Sequence, residues 1–302
     1  MNDAALQLYH EQLRTWKTAY VNYQALSLVQ TREISVNDIC YRIQYNAARI
    51  VSSDAKVDAA SIARRPCFLC ASHRPIEQKS IPLLGHYELL VNPYPIFPEH
   101  FTLVEKAHVP QRIAPRMADM LQLAYLLSHY TVFYNGPCCG ASAPDHAHFQ
   151  AGTRGFLPIE DVWRQQIDKE LAKMAGATLY CLANTPRATL VIEADQVEAA
   201  ERMFHMVYQA LPVLQGEEEP RMNILTLFQN GHWEIFIFPR SKHRPACYSA
   251  VGKARLLSSP ASVDLGGVFV LPREEDFRKI TAPDITQILS EVCLPLTELK
   301  MK

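Results

Sequence analysis

The stretch Gly140-Ala141-Ser142-Ala143-Pro144-Asp145-His146-Ala147-His148-Phe149-Gln150 carries two histidines and a glutamine at alternate positions behind a small-residue loop. If His146 to Ala151 is a strand, its period of two sends His146, His148 and Gln150 to one face and turns Ala147 and Phe149 into a core. Two imidazoles and an amide beside a Gly/Ser loop suit a phosphate better than they suit packing. Imidazole is a nucleophile at neutral pH without first losing a proton, so His148 is the candidate nucleophile. Gly140 and Ser142 can present backbone N–H groups and a hydroxyl to phosphate oxygens, and Gln150 can hydrogen-bond there without titrating.

Outward from this stretch, the chain alternates strand and helix signals. Toward the N-terminus lie Thr131–Tyr134, closed by the turn Asn135-Gly136-Pro137, an apolar helical face over Met117–His129, and strands at Phe101–Val104 and Tyr87–Val91. Asn135 and Gly136 either line the phosphate loop or form a plain turn. The prolines of Asn92-Pro93-Tyr94-Pro95-Ile96-Phe97-Pro98 forbid regular pairing between those two strands. Ala4 to about Ala25 reads as one amphipathic helix, Ile34–Ile50 as a strand pair, and Ser52–Arg65 as a loop or short helix. Beyond the central stretch come a strand at Thr189–Ile192 and a helix over Asp195–Ala210. A hairpin then turns at Asn230-Gly231, and a strand ending at Leu271 follows Gly266-Gly267, with helices near Glu274 and Pro283. Meandering strands with a few long helices predict an α+β fold rather than a parallel doubly wound sheet.

Cys67-Phe68-Leu69-Cys70 has the spacing of half a zinc site. His108 and His146 could complete a Cys2His2 set that also steadies the neighbour of His148. A redox pair and two unrelated buried thiols are the alternatives. Adjacent Cys138 and Cys139 make poor joint ligands, and Cys40, Cys181, Cys247 and Cys293 read as small buried hydrophobes. Arg240-Ser241-Lys242-His243-Arg244 reads either as a solvated loop or as a cationic wall, with Arg240 and Lys242 meeting phosphate. His10, His73, His86, His129, His205 and His232 stand alone and read as surface or structural.

The 302 residues carry 30 Lys+Arg and 31 Asp+Glu, a net charge of −1, which argues against a general nucleic-acid binder. No apolar run approaches bilayer length, and the first residues lack a secretory pattern, so a soluble cytoplasmic protein is expected.

Taken together, Cys67-Phe68-Leu69-Cys70, His108 and His146-Ala147-His148-Phe149-Gln150 resemble the transferase branch of the histidine triad superfamily. That branch holds galactose-1-phosphate uridylyltransferase, the diadenosine tetraphosphate phosphorylases and the GDP-hexose phosphorylases. The resemblance implies structural Zn²⁺ on Cys67, Cys70, His108 and His146. It also implies His148 as the nucleophile and Gln150 as the mark of transfer rather than hydrolysis. Asn92 to Phe101 resembles the strand-loop-strand that holds the nucleoside, and residues 223–240 and 266–277 are similar to the GDP-hexose phosphorylases. It further implies two halves with histidine-triad-like antiparallel sheets sharing one core, here 1–185 with the motif and 186–302 without it. The expected activity is phosphorolysis of a nucleoside-diphosphate sugar, with inorganic phosphate as second substrate, through a nucleotidyl-histidine. Diadenosine-polyphosphate phosphorolysis or hexose-1-phosphate uridylyl transfer would use the same step. A zinc-stabilised nucleotide-binding module without catalysis is the alternative from another class. Oligomerisation is compatible with all of these.

Overall fold

The computed structural model describes residues 1–37, 39–49, 59–183 and 186–298. Its helices include α1 (Asn2–Thr15), α2 (Lys17–Leu26), α3 (Ala59–Arg64), α4 (Met117–Leu126), α5 (Val197–Ala210), α6 (Glu274–Lys279) and α7 (Ala282–Val292). Thirteen strands form two sheets among the described residues. The smaller sheet has β1 (Gln30–Val36) antiparallel to β2 (Ile39–Tyr45), and β2 parallel to β13 (Val268–Leu271).

The larger sheet is antiparallel and begins with β3 (Ser80–Leu83), β4 (Tyr87–Val91), β5 (His100–Glu105), β6 (Tyr130–Asn135) and β7 (His148–Thr153). It continues with β8 (Ile167–Met174), β9 (Ala177–Leu182), β10 (Leu190–Ala194), β11 (Met222–Gln229) and β12 (His232–Pro239). The spatial order is β3-β4-β5-β7-β6-β11-β12-β10-β9-β8. Read inward from either edge, a hairpin is followed by one strand, then by a helix crossover (α4 or α5) to a second hairpin at the centre. The two five-strand units meet where β6 pairs with β11, Asn135 opposite Asn223.

The α+β expectation holds, with large apolar clusters on both faces of the sheet and spanning both units. Phe149, Ala151, Ile235 and Ile237 pack under α4 and α5, while Phe133, Leu225 and Phe236 pack toward Tyr41, Phe269 and Leu289. Alternation along each strand produces this division. The small sheet, with α7, therefore covers the face opposite the helices.

Several expectations shift. The helix over Ala4–Ala25 breaks at Trp16, whose extended backbone (φ −119°, ψ 100°) places a large side chain in the core at 4% exposure. Burying the indole outweighs one unbroken helical turn. The β8–β9 hairpin escaped the pattern because β8 is an edge strand with charged, exposed Asp168, Lys169 and Glu170, a composition that blunts edge pairing. Asn230 (φ +52°) and Gly231 (φ +84°) give the expected hairpin turn both positive φ values. Part of Ser52–Arg65 lies outside the described residues; the remainder begins as α3.

Candidate active site and metal centre

A cavity of about 720 Å³ opens over β5, β7 and β6 on the face that carries Phe133, the side on which the small sheet packs, and Val270 of β13 joins its wall. Its floor includes the cross-strand row Thr102, Gln150 and Phe133. His148 lies beside this row and also lines the cavity. Its Nδ1–H donates to the His146 carbonyl at 2.8 Å, so the lone pair sits on Nε2. Nε2 has no protein hydrogen-bond partner among the described residues. Burial lowers the imidazole pKa to about 4, so the ring is neutral at neutral pH.

Gln150 is oriented from behind. His100, fully buried, accepts the Ile96 N–H on Nδ1 at 3.2 Å, which leaves the proton on Nε2. That proton is donated to Gln150 Oε1 at 3.0 Å. Asn92 Nδ2 approaches the same oxygen at 3.4 Å, while Asn92 Oδ1 accepts the Tyr94 N–H at 2.9 Å. With Oε1 engaged, the amide NH2 of Gln150 is the group left for a ligand. Burial, then the charge of Arg49, lowers His100 to about 3, so it remains a neutral donor.

The expected row of three residues is broken at its first member. The strand begins at His148, and His146 lies in the preceding turn, away from the cavity lining. Its Nε2–H donates to the Glu105 carbonyl at 2.7 Å, which leaves Nδ1 as an acceptor 3.3 Å from Cys67 Sγ and 3.6 Å from Cys70 Sγ. His108 Nδ1 lies 3.3 Å from Cys70 Sγ. The candidate donor atoms of all four residues fall within 4.8 Å of one another. Tetrahedral zinc with bonds of about 2.3 Å to sulfur and 2.0–2.1 Å to nitrogen would set each S···N edge near 3.6 Å. The donor set and spacing fit a four-coordinate ion. Asp145 Oδ2 stands 3.7 Å behind His108 Nε2, on the side away from Cys70, where a carboxylate orients a metal-binding histidine. Burial would raise the Cys67 thiol, but hydrogen bonding to His146 and to the N–H groups of Leu69 and Cys70 outweighs it and favours thiolate.

The loop between β6 and β7 carries Gly140 and Ser142 to the cavity wall. Gly140 has φ +99°, and a Cβ there would stand 2.8 Å from that of Ala261. Asn135 also lines the cavity, and its Oδ1 accepts from Asn223 Nδ2 (2.8 Å), Ser262 N–H (3.0 Å) and Ser262 Oγ (2.7 Å). It is thus a junction between the two units as well as a wall residue.

Arg240 and Lys242 do not face the cavity, contrary to the cationic-wall expectation. Arg240 is 3% exposed and donates to Asn223 Oδ1 and to the carbonyls of Val292, Pro260, Lys242 and His243. The charged run follows β12 directly, so its first guanidinium turns inward to satisfy chain-end carbonyls. Lys242 pairs with Glu291 at 2.7 Å. R240M is expected to cost about 3–5 kcal/mol in urea unfolding by orphaning those acceptors; wild-type stability in that variant would return Arg240 to a ligand-binding role. The cations at the cavity are instead Arg49, Arg65 and Arg244. Arg65 donates to the Ser142 carbonyl at 2.8 Å, while its buried Nε lacks a hydrogen-bond partner. Asp264, raised to about 6 by burial, joins this wall. Neither Arg49 nor Asp264 carried a motif by which spacing could find it, whereas His100 lay within the flagged strand-loop-strand.

Two family models match the chain in succession: a domain of unknown function (DUF4922) over residues 8–153, and the GDPGP1-like C-terminal domain over 159–300. Diadenosine 5',5'''-P1,P4-tetraphosphate phosphorylase 2 of Saccharomyces cerevisiae is 35% identical over 94 residues, covering 26% of this chain and 29% of the relative. Galactose-1-phosphate uridylyltransferase of Bacillus subtilis is 30% identical over 128 residues, covering 38% of this chain and 23% of the relative. These matches thus span less than a third of each curated relative. In three dimensions, the crystal structure of yeast Ap4A phosphorylase superposes with a TM-score of 0.66 at 19% identity, covering 96% of this chain and 97% of that one. The same phosphorylase in complex with Ap4A gives a TM-score of 0.65 at 19% identity, over 97% and 98% of the two chains. The C-terminal half of the chain thus matches the GDPGP1-like C-terminal domain, and the chain as a whole shares the fold of yeast Ap4A phosphorylase.

Proposed function

We propose that the protein is a nucleotidyltransferase that phosphorolyses a nucleoside-diphosphate sugar of the GDP-hexose kind. The observation that carries this reading is His148: a neutral imidazole whose unpartnered Nε2 belongs to a cavity-lining ring, beside the NH2 of Gln150. Nε2 donates its lone pair to the α-phosphorus, and the bond from that phosphorus to the bridging oxygen breaks. Sugar 1-phosphate leaves with the electron pair. The ring becomes cationic, and the His146 carbonyl on Nδ1–H supports that charge. Inorganic phosphate then attacks the same phosphorus, restores neutral His148 and leaves as part of the nucleoside diphosphate. Gln150 donates to the phosphoryl oxygens, and Gly140 and Ser142 supply the adjoining loop.

The cavity walls differ in a way that suits such a substrate. Phe68, Leu69 and Leu90 offer apolar surface to a base, while Arg49, Arg244 and Asp264 offer charge to phosphate and hydroxyl groups. The second unit carries no His-x-His and completes the pocket through Arg244 and Ser259. R49A is accordingly expected to raise the KM for phosphate about tenfold with little change in melting temperature, a loss of one charge-assisted contact; an unchanged KM would remove Arg49 from the anion site.

Cys67, Cys70, His108 and His146 would hold structural Zn²⁺, which supplies rigidity to the turn preceding His148 and, with four protein ligands, offers no open position. None of the eight cysteines is paired in a disulfide, so Cys67 and Cys70 remain available as ligands. Among the described residues, no helix is long and apolar enough to cross a membrane.

The sequence match to a tetraphosphate phosphorylase favours a second reading, in which a dinucleoside polyphosphate is cleaved by the same covalent step. Nucleoside-diphosphate sugars and dinucleoside polyphosphates should be screened for phosphate-dependent release of nucleoside diphosphate. Release from a sugar nucleotide with an acid-labile, base-stable label on His148 is expected. Release only from dinucleotides would select the second reading, and binding without release would leave a nucleotide-binding module.

A further inference from the structure

We infer that Gln111, outside the cavity, is a positioning residue for His148; this rests on the proposed role of that histidine. The β6–β7 ladder ends at Phe133 opposite Gln150, two pairs short of bringing Asn135 against His148. On the other side, β7 remains paired through Val104 and His148. The Gln111 side chain fills the gap as a surrogate peptide. Its Oε1 accepts the His148 N–H at 2.8 Å, and its Nε2 donates to the His148 carbonyl at 2.9 Å and to the Asn135 carbonyl at 3.1 Å.

The residue is 1% exposed and absent from the cavity wall, so it touches no ligand. Its own segment is tied to the turn before His148, through Gln111 N–H to the Pro144 carbonyl (3.1 Å) and Ala147 N–H to the Val109 carbonyl (2.7 Å). The inserted carboxamide thus does two things. It satisfies the backbone polar groups of the nucleophile's own residue, which have no strand partner there. It also holds the ends of β6 and β7 apart, where the chain enters and leaves the Gly140–Ser142 loop.

Methionine at this position keeps the length and loses all three hydrogen bonds. Q111M is expected to lower kcat about 100-fold, as for a small misplacement of a reacting group. KM and nucleoside-diphosphate affinity should stay within about threefold of wild type, with metal content unchanged, because a positioning defect spares the ground-state contacts. A kcat within threefold of wild type overturns the inference, and so does a parallel fall in kcat, ligand affinity and melting temperature. Amide hydrogen exchange in the wild-type chain decides the matter even if Q111M does not fold. The His148 amide should be as protected as that of Gln150, whose partner is strand backbone; an unprotected His148 amide overturns the inference. If wild type turns over no substrate, the proposed function fails by itself, and the exchange result still shows whether Gln111 holds His148.

Discussion

Alanine at His148 is expected to lower turnover by about 10⁴-fold or more, the scale on which removal of a covalent nucleophile acts. Most other polar groups of the cavity wall are poor substitutes. Arg49, Arg65 and Arg244 are protonated and have no lone pair to give, and Gln150 is an amide. His243 also lines the cavity, held to about 4 by burial and the charges of Arg244, Arg240 and Arg221. It is the one other neutral imidazole there among the described residues, so H243A is the control and should retain the label. His148 also makes few contacts that stability depends on. Its ring donates one hydrogen bond, to the His146 carbonyl, while the strand is held through backbone that alanine retains. H148A should therefore fold, keep its metal and bind nucleoside diphosphate. Single-turnover assays with radiolabelled nucleotide read the difference: covalent label in wild type and in H243A, none in H148A. Label or near-normal turnover in H148A would end the covalent mechanism. Q150A should be milder, about 10²-fold in kcat, because it removes a donor to the transition state and leaves the nucleophile.

Local pattern was enough for the parts of the fold that local interactions decide. The strands around Tyr87–Val91, Phe101–Val104 and the Asn230-Gly231 hairpin were legible because alternation and turn chemistry agree there. Trp16 was not, since a helical period says nothing about a side chain that gains more by leaving the helix. β8 was not, since an edge strand advertises charge instead of alternation. The same division runs through the site. His148, Gln150 and the four Cys and His residues stood out by chemical type and spacing. His146 kept its expected neighbours but not its expected strand, because the contacts with Cys67 and Glu105 fix it in a turn. Arg240 fits neither reading of its charged run, solvated loop or cationic wall, because the carbonyls at the end of β12 and α7 draw this first member inward. Gln111 and Arg49 give no local signal at all. Their roles arise from long-range placement, Gln111 acting across 37 positions on His148.

Serine at Cys67 is expected to release the metal and destabilise the chain, with turnover falling as a consequence. The apolar cluster around the site is small, made of Cys67, Leu69, Leu90, Val104 and Ala143 with Cys70 against it, and cannot fix this loop alone. The proposed metal would be the stronger tie, since structural zinc contributes about 10 kcal/mol or more in small domains where it organises the whole fold. Here the sheet persists without it, so a smaller cost of about 3–5 kcal/mol is expected, which lowers the melting midpoint by about 10 °C in a chain of this size. Serine preserves volume but its hydroxyl does not ionise at neutral pH, so the soft anionic donor is lost while the packing stays. Metal analysis should give one zinc per wild-type chain and almost none in C67S, and chelation of wild type should reproduce the C67S melting curve. A wild-type chain purified with zinc present yet holding none, or C67S melting with wild type, would sink the metal assignment. H148A separates this loss from the chemical one: it should keep its zinc and its melting midpoint while losing turnover, whereas C67S loses all three because the displaced turn at His146 no longer supplies the carbonyl that orients the nucleophile.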